Sequence, residues 1–302
     1  RRRHSFPTRR SSDLTRPAGF RFAHGSTFSQ ASAAPLTDDQ IRAVAPSVFA
    51  DQAHDSRSAR YAYIATAELL RGLRREGFEV FSARQAVTRD EDRKGHAKHL
   101  LRLRHASQIG QPATRGDSVS EILLLNSHDG SSSYQMMGGV FRFICANGMV
   151  VPDGACQSVK VPHTGRIQDK VISGAFEVLD GLTRVIDHRD SMRALTLNDG
   201  EQRAFANAAA LLRFDPAEGE ALPVTPEQVN RARRVDDRAP DLWTTFNRVQ
   251  ENVIRGGMRG QSVDANGRRQ VRAVRAVTGI DQDVKLNRAL WTLAEEMRRL
   301  KA

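Results

Sequence analysis

The densest run of groups able to hold an anion is Lys98-His99-Leu100-Leu101-Arg102-Leu103-Arg104-His105. Side chains alternate faces along a strand, so Lys98, Leu100, Arg102 and Arg104 would share one face and His99, Leu101, Leu103 and His105 the other. Cations repeating at about 6.5–7 Å along a strand match the spacing of backbone phosphates on a nucleic-acid strand. Arg84 and Arg89 lie just upstream and would widen the strip. The competing reading is an ordinary solvated sheet face, with its charge balanced by Asp90, Glu91 and Asp92.

A second basic segment starts at Gly256-Gly257-Met258-Arg259-Gly260 and continues through Arg268, Arg269, Arg272 and Arg275. The last three recur every third residue against Val271, Val274 and Val277, so a helix here would carry a basic flank beside an apolar one. A flexible arginine segment can clamp phosphates without reading sequence. The competing reading is a surface loop with surplus charge.

Other chemistry fares less well. His96, His99 and His105 cluster, but a strand would turn His96 and His99 to opposite faces, which works against a shared metal ion. Cys145, between Ile144 and Ala146, reads as a small buried hydrophobe. A partner such as His163 keeps a cysteine-hydrolase alternative open, and Asp90-Glu91-Asp92 keeps a metal-dependent nuclease open. No Gly-x-x-x-x-Gly-Lys-Ser/Thr phosphate loop occurs. Trp243, Phe246, Trp291 and Leu293 read as packing residues, and the nearby amides Asn247, Gln250, Asn252 and Asn287 as helix cross-links.

The elements that must position these groups follow from capping and periodicity. Residues 1–14, RRRHSFPTRRSSDL, resemble a translated sequencing-adapter fragment, and residues 15–36 read as a flexible arm without periodicity. Thr37-x-x-Gln40 is a capping box opening a short helix that ends before Pro46. Tyr61, Tyr63 and Ile64 predict a short strand. Thr66 then caps a helix striped by Leu69, Leu70 and Leu73 and closed by Gly77. Strands are predicted over 78–88, 96–106, 119–126 and 140–146, with Asn147-Gly148 as a two-residue hairpin turn returning along 149–151. From Ile167 the period becomes helical, with one long helix through Val171, Ile172, Phe176, Leu179, Leu182 and Ile186. A second, over 199–212, carries Phe205, Ala208, Leu211 and Leu212. After a boundary near 218–223, Thr225-Pro226-Glu227-Gln228 caps another start, and helices follow near 241–254 and 283–299.

The fold class is therefore α+β. An antiparallel sheet of about four to six strands packs on long amphipathic helices in a core over 37–220. A helical C-terminal region, 221–302, carries the Gly/Arg-rich connector. The whole sequence has a formal charge of +11; residues 1–14 contribute five arginines and one aspartate, so 15–302 retain +7. Two cysteines without a secretory segment fit a reducing cytoplasm, and no apolar run reaches membrane-spanning length.

Several runs resemble the phage/plasmid-like family known as domain of unknown function 932. They are Lys98-His99-x-x-Arg102-x-Arg104, Phe141-Arg142 with Cys145-x-Asn147-Gly148, Leu242-Trp243-x-x-Phe246-Asn247-x-x-Gln250-Glu251-Asn252, and Val284-Lys285-Leu286-Asn287-x-x-Leu290-Trp291. The resemblance covers residue 37 to the end and implies a bacterial mobile-element setting among antirestriction and DNA-metabolism genes. It supplies no catalytic residue set and no cofactor. The expected function is non-catalytic binding of nucleic acid, single-stranded DNA first, by Lys98, Arg102, Arg104, Arg84, Arg89, Arg259, Arg268, Arg269, Arg272 and Arg275. Self-association would help such a protein follow a strand. The alternative is an interaction protein acting on a host defence factor.

Overall fold

A computed structural model of the chain describes residues 22–24, 27–31, 34–56, 62–109, 118–142, 148–150, 156–163, 166–218, 220–263 and 268–301. In chain order, β1 (Phe22–His24) and β2 (Thr27–Ala31) precede α1 (Asp38–Val44) and α2 (Thr66–Arg75). Then come β3 (Phe78–Ala86), the one-turn α3 (Glu91–Lys94), β4 (His99–His105), the one-turn α4 (Ala106–Ile109), β5 (Ser118–Asn126) and β6 (Tyr134–Arg142). The short β7 (Gly148–Val150) and β8 (Val159–Val161) lead into the long helices α5 (Ile167–Ala194) and α6 (Asp199–Phe214). The C-terminal part holds α7 (Pro226–Val229), α8 (Leu242–Arg255), β9 (Arg259–Val263), β10 (Arg269–Ala273) and α9 (Ile280–Lys301).

The α+β class holds. β1 to β7 lie side by side in sequence order, each antiparallel to the next, and β8 shares the remaining edge of β6 with β7. The sheet exceeds the expected four to six strands because three-residue strands flank the long ones. β1 and β2 come from the segment expected to be a flexible arm. β2 pairs with β3 from Thr27↔Ala86 to Ala31↔Ser82 and so covers backbone groups that an edge strand would leave bare.

One sheet face forms the main core. Val80, Leu101, Leu103, Ile122, Leu124 and Met136 pack against Leu69, Leu70 and Leu73 of α2 and Val171, Val178 and Leu182 of α5. Each such side chain stabilises the fold by about 1.5–3 kcal/mol through burial. α5 and β6 close tightly around buried Cys156: a Cβ added at Gly138 would lie 2.7 Å from its Sγ, and one at Gly181 2.9 Å. The opposite face is covered in part by the start of α9, where Ile280 and Val284 pack on Leu100, Leu123, Leu125, Met137 and Phe141. Trp243, Phe246 and Trp291 join α8 to α9 with ring centroids 5.9–6.3 Å apart, and Leu293 packs at the core's margin, as their spacing predicted.

The capping boxes at Thr37/Gln40 and Thr225/Gln228 form as predicted. Elsewhere local signals yield to tertiary demands. Residues 62–65 are not a strand, and Tyr61 lies outside the described residues. Thr66 is not a cap: Ala65 holds that position and the Thr66 hydroxyl turns inward. β6 begins at Tyr134, six residues before the predicted strand, and Gly148 is a strand residue paired with Phe141 rather than part of a two-residue turn; Asn147 lies outside the described residues. In α6 the buried stripe is Phe205, Ala206, Ala209 and Ala210, while Leu211 and Leu212 are exposed. The Gly/Arg-rich connector is neither loop nor helix but a hairpin, β9 against β10, registered from Arg259↔Ala273 to Val263↔Arg269. Among the described residues, no helix is long and apolar enough to cross a membrane.

Candidate nucleic-acid interface

The predicted alternation along β4 is present. Leu100, Arg102 and Arg104 lie on the face away from the main core, and His99, Leu101 and Leu103 face inward. The cations of that face are not offered to a ligand. Arg102 and Arg104 both donate through Nε to the fully buried Glu121, Arg104 at 2.7 Å. Their guanidinium planes cover aromatic rings, Arg102 over Phe141 at 3.3 Å and Arg104 over Phe81 at 3.9 Å. Burial pulls the Arg102 guanidinium below its usual pKa, and neighbouring Glu121 opposes that pull. Lys98 donates to both carboxylate oxygens of Asp281, at 2.7 and 2.9 Å, and Arg84 pairs with Asp283. Asp281 and Asp283 sit in the first turn of α9, where carboxylates also suit the helix dipole. The expected phosphate strip is thus taken up by the fold: Arg84 and Lys98 clamp α9, and Arg102 and Arg104 tie β4 to β5. Its counter-charges are Glu121, Asp281 and Asp283, whereas Asp90 pairs locally with Arg93 at 3.2 Å. Arg89 is exposed in the turn before α3.

The second basic segment behaves differently. The hairpin register puts Arg259, Gln261, Val271 and Ala273 on one face, all exposed, and Arg272 opposite Gly260 on the other. Among the described residues, Arg259, Arg272 and Arg275 form no ion pair, and all three are exposed. The Arg275 carbonyl accepts from Arg213 at 3.1 Å. Arg268 is exposed, and the Arg269 side chain lies outside the described residues. A sharp turn sets the hairpin against α8. Gly256 has φ +65°, and a Cβ there would fall 2.4 Å from the Val274 carbonyl oxygen, so only glycine fits. Gln228 of α7 donates to the Arg259 carbonyl at 3.1 Å, and the Gln261 amide to the Pro223 carbonyl at 2.7 Å.

A concavity of about 470 Å³ opens between the hairpin's start and the segment after α7, lined in part by Arg231, Arg233, Asn252, Met258 and Arg259. Arg233 donates Nε to Asn252 Oδ1 at 2.6 Å and Nη2 to the Gly256 carbonyl at 2.5 Å. Asn252 in turn donates to the carbonyls of Val229 and Arg231, both at 2.8 Å. The nearest buried carboxylate, Glu251, is held by Arg234 and Arg255. Burial works to raise its pKa, but those bonds outweigh burial and keep it below the usual range.

A third constellation escaped the sequence reading. At one end of β4, β5 and β6, fully buried polar side chains converge on Thr66 Oγ1: His99 Nε2 at 3.0 Å, His128 Nε2 at 3.1 Å and Asn126 Nδ2 at 3.2 Å. The donors can be ordered. Gln85 donates to the Lys94 carbonyl, so its Oε1 accepts from Ser47 Oγ at 2.7 Å. Ser47 must then accept from His99 Nδ1 at 2.8 Å, which leaves His99 Nε2 to accept from Thr66. With its one proton committed, Thr66 accepts from Asn126 and from His128 Nε2. His163 Nε2 donates to Asn126 Oδ1 at 3.1 Å. His128 Nδ1 is left bare of protons and has no hydrogen-bond partner among the described residues. Burial lowers His99 to a pKa of about 4, and burial with neighbouring histidines lowers His128 to about 2. The network is neutral and fastens α2, the Ser47 turn and three strand ends together.

Comparison with known proteins places these features in a family. The model described as "Domain of unknown function (DUF932)" matches residues 53–291. The chain belongs to the DUF932 family. It is 49% identical over 263 residues to the UPF0380 protein YafZ and to the UPF0380 protein YfjQ, both of Escherichia coli (strain K12); each alignment covers 87% of this chain and 92% of the relative. No solved structure matches the chain. The DUF932 match takes in the α9 clamp, the hairpin and all of the buried network except Ser47.

The remaining groups singled out in the sequence are packed or lie outside view. Of the buried amides of this DUF932 chain, Gln250 cross-links α8 to α9 by donating to Asn287 at 2.7 Å, whereas Asn247 donates within α8 to the Trp243 carbonyl at 2.6 Å. Asn287 passes the connection to Asp283 at 2.7 Å, and so to Arg84 on the sheet. Among the described residues, no three His, Cys, Asp or Glu side chains are grouped to hold a metal ion. His99 faces Thr66, while the half-buried His96 stacks edge-on to His54. Cys145 lies outside the described residues.

Proposed function

We propose that this DUF932 chain binds nucleic acid, single-stranded DNA first, through the arginines of the β9–β10 hairpin, without catalysing a reaction on it. One observation carries the reading: Arg259, Arg272 and Arg275 are exposed on or beside one hairpin without a carboxylate partner among the described residues, while the sheet-face cations all have one. An unpaired, solvated guanidinium loses little on meeting a phosphate, whereas a paired and stacked one must first give up its partners. The formal charge of +7 that residues 15–302 retain adds an attractive field for polyanions. No base-reading group is needed, so binding should depend on salt far more than on sequence.

Titration of a labelled single-stranded oligonucleotide at several salt concentrations tests the reading. Affinity should fall steeply as salt rises, and absent or salt-insensitive binding rejects it. If the chain instead acts on a host protein, nuclease-treated bacterial lysate should still yield a specific complex while oligonucleotides fail to bind.

A further inference from the structure

We infer that the concavity between α7, the end of α8 and the start of β9 is a site for a phosphate monoester, the terminal phosphate of a nucleotide. The inference deepens the nucleic-acid reading by adding a strand end to the internal phosphates that the hairpin would hold. The volume, about 470 Å³, lies in the usual range for a small-molecule site. Three arginines, Arg231, Arg233 and Arg259, line it, and no Asp or Glu does among the described residues.

The three arginines differ in how firmly they are set. Arg233 is fixed: its Nε and Nη2 are spent on Asn252 and on the Gly256 carbonyl, and its Nη1 makes no bond among the described residues. Asn252 cannot swing away, because both its amide hydrogens are bound to the carbonyls of Val229 and Arg231. The backbone of Arg259 is tied to α7 through Gln228. Arg231 and Arg259 keep exposed side chains without an ion pair among the described residues. A guanidinium held at two of its nitrogens beside two exposed, unpaired arginines suits a ligand with three oxygens and up to two charges better than a monoanionic diester. Arg233 is itself held below its usual pKa by burial, with Arg255 and Arg234 acting the same way against Glu251. An anion at the site would relieve that strain on its charge. Met258, nearly buried, offers the one sizeable apolar side chain in the wall against which a base or sugar can rest.

The source of the phosphate can be a nucleic-acid end or a free nucleotide, and the test separates them. Full-length protein is titrated with one labelled oligonucleotide prepared three ways: with a 5′-phosphate, with a 3′-phosphate, and with hydroxyls at both ends. AMP and adenosine serve as competitors. A terminal phosphate should tighten binding by about tenfold, the scale of one or two charge-assisted contacts. AMP should erase the difference between the three forms and adenosine should not. In R231Q, and separately in R233Q, the ratio between phosphorylated and hydroxyl forms should fall to near one. R231Q removes an exposed side chain, so it remains informative if R233Q, which also loses its grip on Asn252, fails to fold. Equal affinity for all three forms overturns the inference while leaving the hairpin reading intact. Saturable AMP binding with no oligonucleotide binding supports the pocket and overturns the hairpin reading. Failure of every ligand overturns both.

Discussion

Two basic regions of this chain use the same side chain for opposite purposes. On the sheet, Arg84 and Lys98 are matched by Asp283 and Asp281 and hold α9 against β3 and the start of β4, while Arg102 and Arg104 are matched by Glu121 of β5 within the sheet itself. On the hairpin, Arg259, Arg272 and Arg275 face solvent without such matches among the described residues. Charge density along the sequence is similar in both. What separates them is where folding delivers carboxylates: one from the next strand, two from a helix nearly two hundred residues downstream. A run of cations is therefore an interface only after its counter-charges have been located.

Breaking the sheet-face pairing at its centre should have the largest effect. Glu121→Gln leaves two stacked guanidinium groups without their shared anion and should cost about 3–5 kcal/mol, seen as a lower urea midpoint with an unchanged slope. A loss under about 1 kcal/mol would mean that the pair is solvated and the clamp unimportant.

Acid should act almost as strongly, on the third region. His99 is neutral in the fold down to about pH 4 and His128 to about pH 2, whereas an unfolded histidine titrates near 6.5. Below pH 6.5 the unfolded chain therefore binds more protons. The stability from His99 is complete above pH 6.5 and drains away as pH falls towards 4, a loss of about 3 kcal/mol, with His128 continuing at lower pH. Urea unfolding at pH 7.0, 5.5 and 4.5 measures this, and a flat profile across that range contradicts a neutral buried network.

Smaller effects should grade the rest of the clamp. Asp283→Asn, which removes the charge facing Arg84, should cost about 1–2 kcal/mol. Asp281→Asn should cost under about 1 kcal/mol, because Asp281 is 71% exposed and its pair with Lys98 is screened. Arg272→Gln on the hairpin should change stability by no more than about 0.5 kcal/mol, as expected for an exposed site without an ion pair among the described residues. A larger loss there would show that the hairpin arginine has a structural partner and would erase the contrast.

The legible parts of the fold were those written in local chemistry. The capping boxes, the long period of α5 and the face alternation of β4 all depend on neighbours within a few residues. Sites that depend on remote partners were not legible. Thr66 has a cap residue's chemistry, but its hydroxyl is claimed by His99, Asn126 and His128, which lie 33, 60 and 62 residues away. Of the histidines weighed as a metal site, His99 joins the buried network, whose other histidines, His128 and His163, follow β5 and β8 far along the chain. The hairpin does carry a local signal in the sequence, Asn266-Gly267 between Arg259–Val263 and the β-branched Val271 and Val274. The repeat of arginine at every third residue drew attention to a helix instead.

The sharpest measurement is the salt slope of single-stranded oligonucleotide binding, taken for the unaltered chain, for a hairpin variant (Arg259, Arg272 and Arg275 all to Gln) and for a sheet-face variant (Arg84 and Lys98 both to Gln). Three lost phosphate contacts should reduce the slope by about two in the hairpin variant and leave it unchanged in the sheet-face variant. The reverse pattern, with the slope lost from the sheet face and kept by the hairpin, would contradict the division between clamp and interface.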